Sequence, residues 1–382
     1  MALLGIVPRA LLIANRNGDP PDFAAQSFVA HALLHAPSHT YSQVFPTATQ
    51  TYHLWPYPAG YFPFLLVVRG LADLGMPFRT AAAIPNVVAD VVLAFLVAAW
   101  LRRIRGDRAA LLGAALVSFG PVFIVNTGVM GQIDSVCVAF ALASALVWAG
   151  GRDGRALRAG LLLGGAVACK LSLVLMIVAF LPTVRSRSEL ARFVTATAAP
   201  IVLLTAPFLI MSPHDVLSSL SSNHGIPGIA GWSVFVQPSL HQVWFGHPVA
   251  ATAATRSILR WQPEIVAAGV LLLVPFLLRR RTDALTGAAL VWTAVWLVNP
   301  MNAWTYFVWG VPFIVAAGRL GTALAVEVVF AIPTTELLVR AHPHGESAYV
   351  PIVALVVATV ATALVVIARQ EAGRSVPAAA LP

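Results

Sequence analysis

The chain has 382 residues, of which 59% are hydrophobic and 10% charged, with a mean hydropathy of +0.82. That composition describes a polytopic membrane protein and leaves no segment for a soluble domain. The net charge of +9 does not indicate nucleic acid, because the basic residues punctuate apolar runs instead of gathering in one patch. Cys137 and Cys169 both fall in apolar segments, so a disulfide framework is not indicated.

The first stretch, "MALLGIVPRALLIA", is short for a span and contains Pro8 and Arg9, and no cleavage site follows it. Next comes "NGDPPDF", with Asp19 and Asp22, and then the aromatic segment "WPYPAGYFP". Residues 59–77 look like a span but carry Arg69 and Asp73, and an amphipathic helix at the interface suits them better. Apolar runs able to cross a bilayer, which takes about 20 residues, lie near 81–101, 109–127, 134–150, 190–211, 263–278, 284–299, 303–318, 321–339 and 349–368. Of the 24 basic residues, 16 sit in loops that the positive-inside rule makes cytoplasmic, including Arg102–Arg108, Arg152–Arg158, Arg185–Arg192 and Arg279–Arg281.

These loops set the topology. Residues 157–182 lie between two basic loops yet are too short for two crossings, since a dozen helical residues cover only about 18 Å. The expectation is therefore a re-entrant hairpin with Lys170 at its turn, tolerated at that depth only where it lines a cavity or is buried in protein. The same parity puts "GVMGQIDSV" (128–136), Lys170, the 15–80 region and the loop 212–262 on the outer side, with 369–382 as a cytoplasmic tail. The expected fold is all-α, a single membrane domain (1–382) of about 9–12 transmembrane helices, divided into a catalytic-module-like half (15–185) and a more variable half (186–368).

In order and side, these features resemble the GT-C superfamily of membrane glycosyltransferases. Within it, the chain is similar to bacterial mannosyltransferases related to the glycosylphosphatidylinositol mannosyltransferases and to the polyprenol-phosphate-mannose enzymes of actinobacteria. The matching pieces are "GDPPDF" followed by "WPYPAGYFP", "RTAAAIPNVVAD", the GQ-x-DS element running from Asn126 to Ser135, and the GG-x4-K of Gly164 to Lys170. Tyr57-Pro58-Ala59 stands where Y-P-P is more usual, and Met130 where an aromatic often precedes GQ.

The resemblance implies inverting transfer of a hexose, with mannose preferred, from a polyprenyl-phosphate carrier to an extracytoplasmic glycolipid, glycan or protein acceptor at the plasma membrane. Such chemistry needs a base, cations for the departing phosphate, and a pocket that aligns the substrates. Asp22 is the candidate base and Asp19 its competitor, although a Pro-rich turn with Asp as a cap explains either residue as well. Lys170 is the candidate phosphate partner, possible assistance coming from Arg79; the alternatives are a snorkelling lysine and an interfacial arginine. Gln132, Asp134, Asn86, Asp90, Tyr57, Asn302 and Tyr306 are candidate substrate contacts. For Asp134 or Ser135, capping of the next helix is a competing reading, and for Asn86 and Asp90 a helix-packing hydrogen bond. The aromatics and His241 of the loop 212–262 read as an interfacial anchor, and "HPHGE" (342–346) as a solvated loop. No metal site or cofactor is indicated, the lipid-linked sugar being a substrate, and no nucleotide-phosphate loop occurs. The rival classes are a lipid or sugar transporter or flippase, which would also place polar residues at broken helices, and a non-catalytic envelope-assembly subunit.

Overall fold

The computed structural model describes residues 1–15, 21–46, 51–221, 230–240, 249–339 and 346–373. The all-α architecture expected from composition is what forms. Among the described residues the only strands are β1 (Val44–Pro46) and β2 (Thr51–His53), a three-residue antiparallel ribbon.

Two short helices, α1 (Ile6–Asn15) and α2 (Pro21–His35), precede the ribbon, and α3 (Phe62–Asp73) follows it. Leu66 and Val67 of α3 are exposed while Phe62, Leu65 and Val68 are buried, and Arg69 pairs with Asp73 at 2.7 Å, the i,i+4 spacing that puts both on one face. The long helix α4 (Phe78–Arg105) crosses to the far end. There Gly106, at φ +85, reverses the chain into α5 (Asp107–Phe119), continued by α6 (Pro121–Val125) and a π-helical turn over Asn126–Met130. Helix α7 (Asp134–Ala149) descends again.

Helix α8 (Arg155–Cys169) then rises for fifteen residues, about 22 Å, to Lys170, whose extended backbone breaks the helix. The chain returns through a 3-10 segment, α9 (Ile177–Phe180) and a second 3-10 turn ending at Thr183, where Arg155 donates to the Thr183 carbonyl at 2.8 Å. A hairpin with Lys170 at its tip is thus present, and its base closes on itself. Helix α10 (Arg187–Met211) runs parallel to α8 in direct backbone contact: a Cβ on Gly160 would fall 2.6 Å from the Phe193 carbonyl oxygen, and one on Gly164 2.4 Å from that of Thr197. Small residues spaced by four allow this approach between membrane helices.

Helices α11 (Pro213–Ser221), α12 (Ser233–Val236) and α13 (Ala253–Arg260) lie at the same end as Lys170. The chain then crosses by α14 (Gln262–Leu271) and α15 (Val274–Arg280) and returns by α16 (Ala284–Val298), which Asp283 caps through the Leu285 and Thr286 amides. A short buried segment, Trp304–Ala316, contains a 3-10 stretch and α17 (Val311–Ala316), and α18 (Leu320–Val339) and α19 (Glu346–Ala372) complete the fold. Among the described residues five helical stretches are long and apolar enough to span a membrane, and five shorter apolar helices accompany them. Arg102–Arg108, Arg152–Arg158, Arg185–Arg192 and Arg279–Arg281 all fall at the end opposite Lys170, as the directions of these helices require.

Arg9 counts against a membrane helix in the sequence, but the fold buries and pairs it. Its Nε donates to Asp90 Oδ2 at 2.7 Å and its Nη1 to the Ser118 carbonyl at 2.6 Å, which pins α1 to α4 and α5. Glu327 on α18 is buried as well and accepts the Val122 amide at 3.1 Å, satisfying a donor at the start of α6.

Candidate active site

The element that organises the site is the turn at Gly131. Gly131 adopts φ +66, a left-handed conformation that suits glycine, and a Cβ there would lie 2.3 Å from the Phe23 ring. The turn therefore receives α2 face to face. Phe23 covers Gly131, the Gln26 side chain donates to the Gly131 carbonyl at 2.6 Å, and Gln132 hydrogen-bonds the Asp22 carboxylate. Arg79 at the start of α4 lies 5.5 Å from the centre of the Phe23 ring and so supports the same helix from outside.

On the other side of the turn, Asp134 is fully buried and accepts from Lys170 Nζ at 2.5 Å and from Trp309 Nε1 at 2.8 Å, both on Oδ1. This corrects the capping reading. Asp134 is the first residue of α7, Ile133 holds the cap position, and no side chain caps the helix. A local preference for capping has given way to a cation thirty-six residues away, because a buried carboxylate without a counter-charge would cost more than an open cap.

Lys170 is boxed by aromatic faces. Its Nζ stands 5.1 Å from the ring of Tyr57, 5.2 Å from Tyr306 and 4.8 Å from Trp309. Tyr306 and Trp309 stack at 4.3 Å between centroids, and Trp309 also meets Trp292 edge-on at 5.2 Å. Gly310 lets that segment approach α16, since a Cβ would fall 2.4 Å from the Trp296 ring. Tyr57 reaches Lys170 because Gly60, three residues on, lies against the hairpin tip: a Cβ there would sit 2.4 Å from the Ala168 carbonyl carbon.

The half-buried Asp22 lies outside the membrane-spanning helices, and its pKa is pushed up from 3.8 to about 6. Burial is the main cause. The Lys170 charge pulls the value down, the Asp134 charge pushes it back up, and the Gln132 hydrogen bond lowers it a little. Tyr57 is also raised, by burial first.

The remaining candidates are placed elsewhere or are not described. Asp19 lies outside the described residues, as do His241 and the HPHG of "HPHGE". Asp90 is engaged by Arg9 and by Thr127 Oγ1 at 2.8 Å, and Asn86 donates to the Tyr61 hydroxyl at 3.4 Å; these are helix-packing contacts that do not reach the cluster. Asn302 turns back onto its own loop, donating to the Trp296 carbonyl at 2.6 Å. Gln237 binds the Ala250 carbonyl and Thr255 within the segment that holds α12 and α13, and Trp232 the Val298 carbonyl. Sequence reasoning missed Trp309 and the Phe23–Gly131 contact. "DFAAQ" at 22–26, with an acid, an aromatic and an amide on adjacent turns, was the available signal for the latter. Among the described residues no three His, Cys, Asp or Glu side chains converge.

The fold and site define a multi-pass α-helical membrane protein with a buried acid–base cluster at one end. Residues 64–216 match the family described as dolichyl-phosphate-mannose-protein mannosyltransferase. That stretch contains the Gly131 turn, Asp134 and Lys170, and ends before Tyr306; Asp22 and Tyr57 precede it. The match, which covers less than half of the chain, agrees with the resemblance read from the motifs. A crystal structure of an oligosaccharyltransferase from Archaeoglobus fulgidus, tethered to an acceptor peptide, aligns at 16% identity with a TM-score of 0.44 over 97% of this chain. The chain spans 55% of the length of that protein. The comparison with curated proteins finds no match.

Proposed function

We propose that the protein is an inverting glycosyltransferase that moves a hexose, with mannose preferred, from a polyprenyl-phosphate carrier to an extracytoplasmic glycolipid, glycan or protein acceptor. The observation that carries this reading is the meeting of Asp22, Gln132, Asp134 and Lys170 at the tip of a hairpin within a lipid-embedded fold. The family match over residues 64–216 supports the donor class.

In this reading Asp22 takes the proton of the acceptor hydroxyl as its oxygen forms a bond to the anomeric carbon. The bond from that carbon to the carrier phosphate breaks on the opposite face, and its electrons leave with the phosphate. A carboxyl held at about 6 is largely ionised at neutral pH, yet basic enough to accept a proton in the transition state. Lys170 offers cationic charge to the phosphate that leaves; Arg79, set against the Phe23 ring, is the second candidate. Tyr57, Tyr306 and Trp309 present flat apolar faces around the ammonium, suited to a sugar ring and to excluding water.

The test is sugar transfer in membranes containing the chain, supplied with labelled polyprenyl-phosphate-mannose, against Asp22→Asn and Lys170→Ala. Loss of product in both, with expression retained in Asp22→Asn, is expected. Unchanged transfer by Asp22→Asn would remove Asp22 from the role of base. No transfer by the intact chain with mannose, but transfer with another polyprenyl-phosphate sugar, would reassign the donor.

A further inference from the structure

We propose that the end of the protein opposite Lys170 carries a binding site for the phosphate of an anionic membrane lipid. A cavity of about 900 Å³ opens between the starts of α8 and α10. Arg152, Arg185 and Arg192 line it together with Ser186 and Ser188. The fifteen residues of α8, about 22 Å, separate it from the Asp134–Lys170 pair, so it is no part of the candidate active site.

Charge accounting distinguishes this cavity from an ordinary basic loop. Glu189 is fully occupied: Oε1 accepts Arg155 Nε at 2.7 Å, and Oε2 accepts the Arg185 amide at 2.6 Å and Arg155 Nη2 at 3.3 Å. Arg155 is spent in return on Glu189, on the Thr183 carbonyl and on the face of Trp148, 4.5 Å away. The pair forms a neutral wall. The guanidinium groups of Arg152, Arg185 and Arg192 make no hydrogen bond among the described residues, that of Arg185 acting on Glu189 through its charge alone, and Asp153 is the other lining acid beside them. At the other basic turns Arg102 pairs with Asp107 at 2.7 Å, Arg105 covers Gly318, and Arg280 donates to the Ala372 carbonyl at 3.0 Å, while Arg103 and Arg108 are left without a partner among the described residues, so it is the cavity beside Arg152, Arg185 and Arg192 that sets those three apart.

The apolar lining indicates the source of the phosphate. Leu157 and Leu161 of α8, one helical turn apart, are 53% and 44% exposed, and with Ala199 of α10 they lead from the cations toward the middle of the membrane. A phosphate among three arginines with an acyl chain along that strip satisfies both surfaces, as basic pockets between membrane helices do for anionic headgroups. A free phosphate would leave the leucine strip uncovered.

The test uses the full chain in a neutral maltoside detergent and follows its thermal midpoint on addition of phosphatidylglycerol, phosphatidylcholine or inorganic phosphate. Phosphatidylglycerol is expected to raise the midpoint by at least about 3 °C, as a ligand of the native state does, and the other two to leave it in place. Arg152→Gln/Arg192→Gln should lose that gain and retain its midpoint in detergent alone, while Arg103→Gln/Arg108→Gln, at another basic turn, should keep the gain. An equal gain from phosphatidylcholine, or a gain undiminished in Arg152→Gln/Arg192→Gln, overturns the site. An equal gain from inorganic phosphate overturns the lipid as its source. Should the double variant lose stability in detergent alone, native mass spectrometry of retained phosphatidylglycerol decides: retention equal to that of the parent chain overturns the site, and loss supports it.

Discussion

Lys170→Met, Asp134→Asn and the double variant should behave as a coupled pair in stability but not in activity. The two side chains are 4% and 0% exposed and 2.5 Å apart, so neither charge has water to turn to when the other is removed. Breaking such a buried pair costs about 3–5 kcal/mol, largely from the stranded charge. In Lys170→Met the Asp134 carboxylate keeps only the Trp309 donor at 2.8 Å, so the upper part of that range is expected. In Asp134→Asn the ammonium still faces three rings, worth up to about 2 kcal/mol when desolvated, so the loss should fall at the lower end. The double variant carries no charge to strand and should return to within about 1 kcal/mol of the parent, so the single losses taken together exceed the double loss by about 5 kcal/mol or more. Unfolding by SDS titration in mixed micelles measures all four corners. Losses that simply add, with coupling below about 0.5 kcal/mol, would refute the buried pair. Transfer assays on the same samples separate folding from chemistry. Lys170→Met and the double variant should both be inactive, whereas Asp134→Asn, which keeps the ammonium, should retain measurable transfer. A stable double variant with parental transfer would remove Lys170 from the reaction.

Transfer should decline with a single proton as pH falls through about 6, because Asp22 must be ionised to act as a base; a rate constant flat from pH 7 to 5 would count against it. The sign for stability is the reverse. An acid whose folded pKa lies above its unfolded value of 3.8 penalises the fold above about 6 and ceases to do so on acidification, so Asp22→Asn should stabilise the neutral protein. The full shift corresponds to about 3 kcal/mol at about 1.36 kcal/mol per unit, and solvent screening at a half-buried group reduces the expected gain to about 1 kcal/mol, readable as a higher unfolding midpoint. Gly131→Ala should lower both stability and transfer, because its Cβ enters the Phe23 ring and its backbone is left-handed; Gly150→Ala, where a Cβ meets nothing closer than 3.4 Å, serves as the tolerated control. Trp309→Phe, which keeps the ring beside Lys170 but removes the donor to Asp134, should cost about 1–3 kcal/mol in the same titration.

The hairpin was legible because two independent constraints met there: basic loops fixed both of its ends on one side, and its length ruled out two crossings. Those are local facts of sequence. Lys170 followed from the same reasoning, and so did the aromatic surroundings of its end of the protein in outline. What the sequence did not reveal were pairings across long separations. Trp309 reaches Asp134 over 175 residues, Gln26 reaches Gly131 over 105, and Arg9 reaches Asp90 over 81. Arg9 in particular read as an obstacle to a membrane helix, because the partner that removes the obstacle lies on α4. For Asp134, capping competes with a substrate contact in the sequence, because capping is the commonest local use of Asp before an apolar run. Its counter-ion, brought in by a hairpin that returns to the same depth, is invisible to any local rule.

The two polar residues of "GQID" can be understood by asking what either would do without the other. Gln132 holds Asp22 through a hydrogen bond, while Asp134 two residues on neutralises Lys170. If Lys170 stood unpaired beside Asp22, its charge would stabilise the carboxylate and pull its pKa down from about 6, toward the range where a carboxylate is a weak base. By compensating the lysine, Asp134 leaves burial as the dominant influence on Asp22, and the carboxyl stays near the working pH. It also sets the charge of the cluster: one net negative charge with Asp22 ionised and none once Asp22 has taken a proton, so proton uptake moves a desolvated site toward neutrality. Asp134→Asn should therefore shift the acidic limb of the pH–rate profile below about 6 as well as slow transfer, a displacement that loss of packing alone would not produce. A slower variant whose acidic limb stays at its original pH would mean that Asp134 acts on the fold and not on the base.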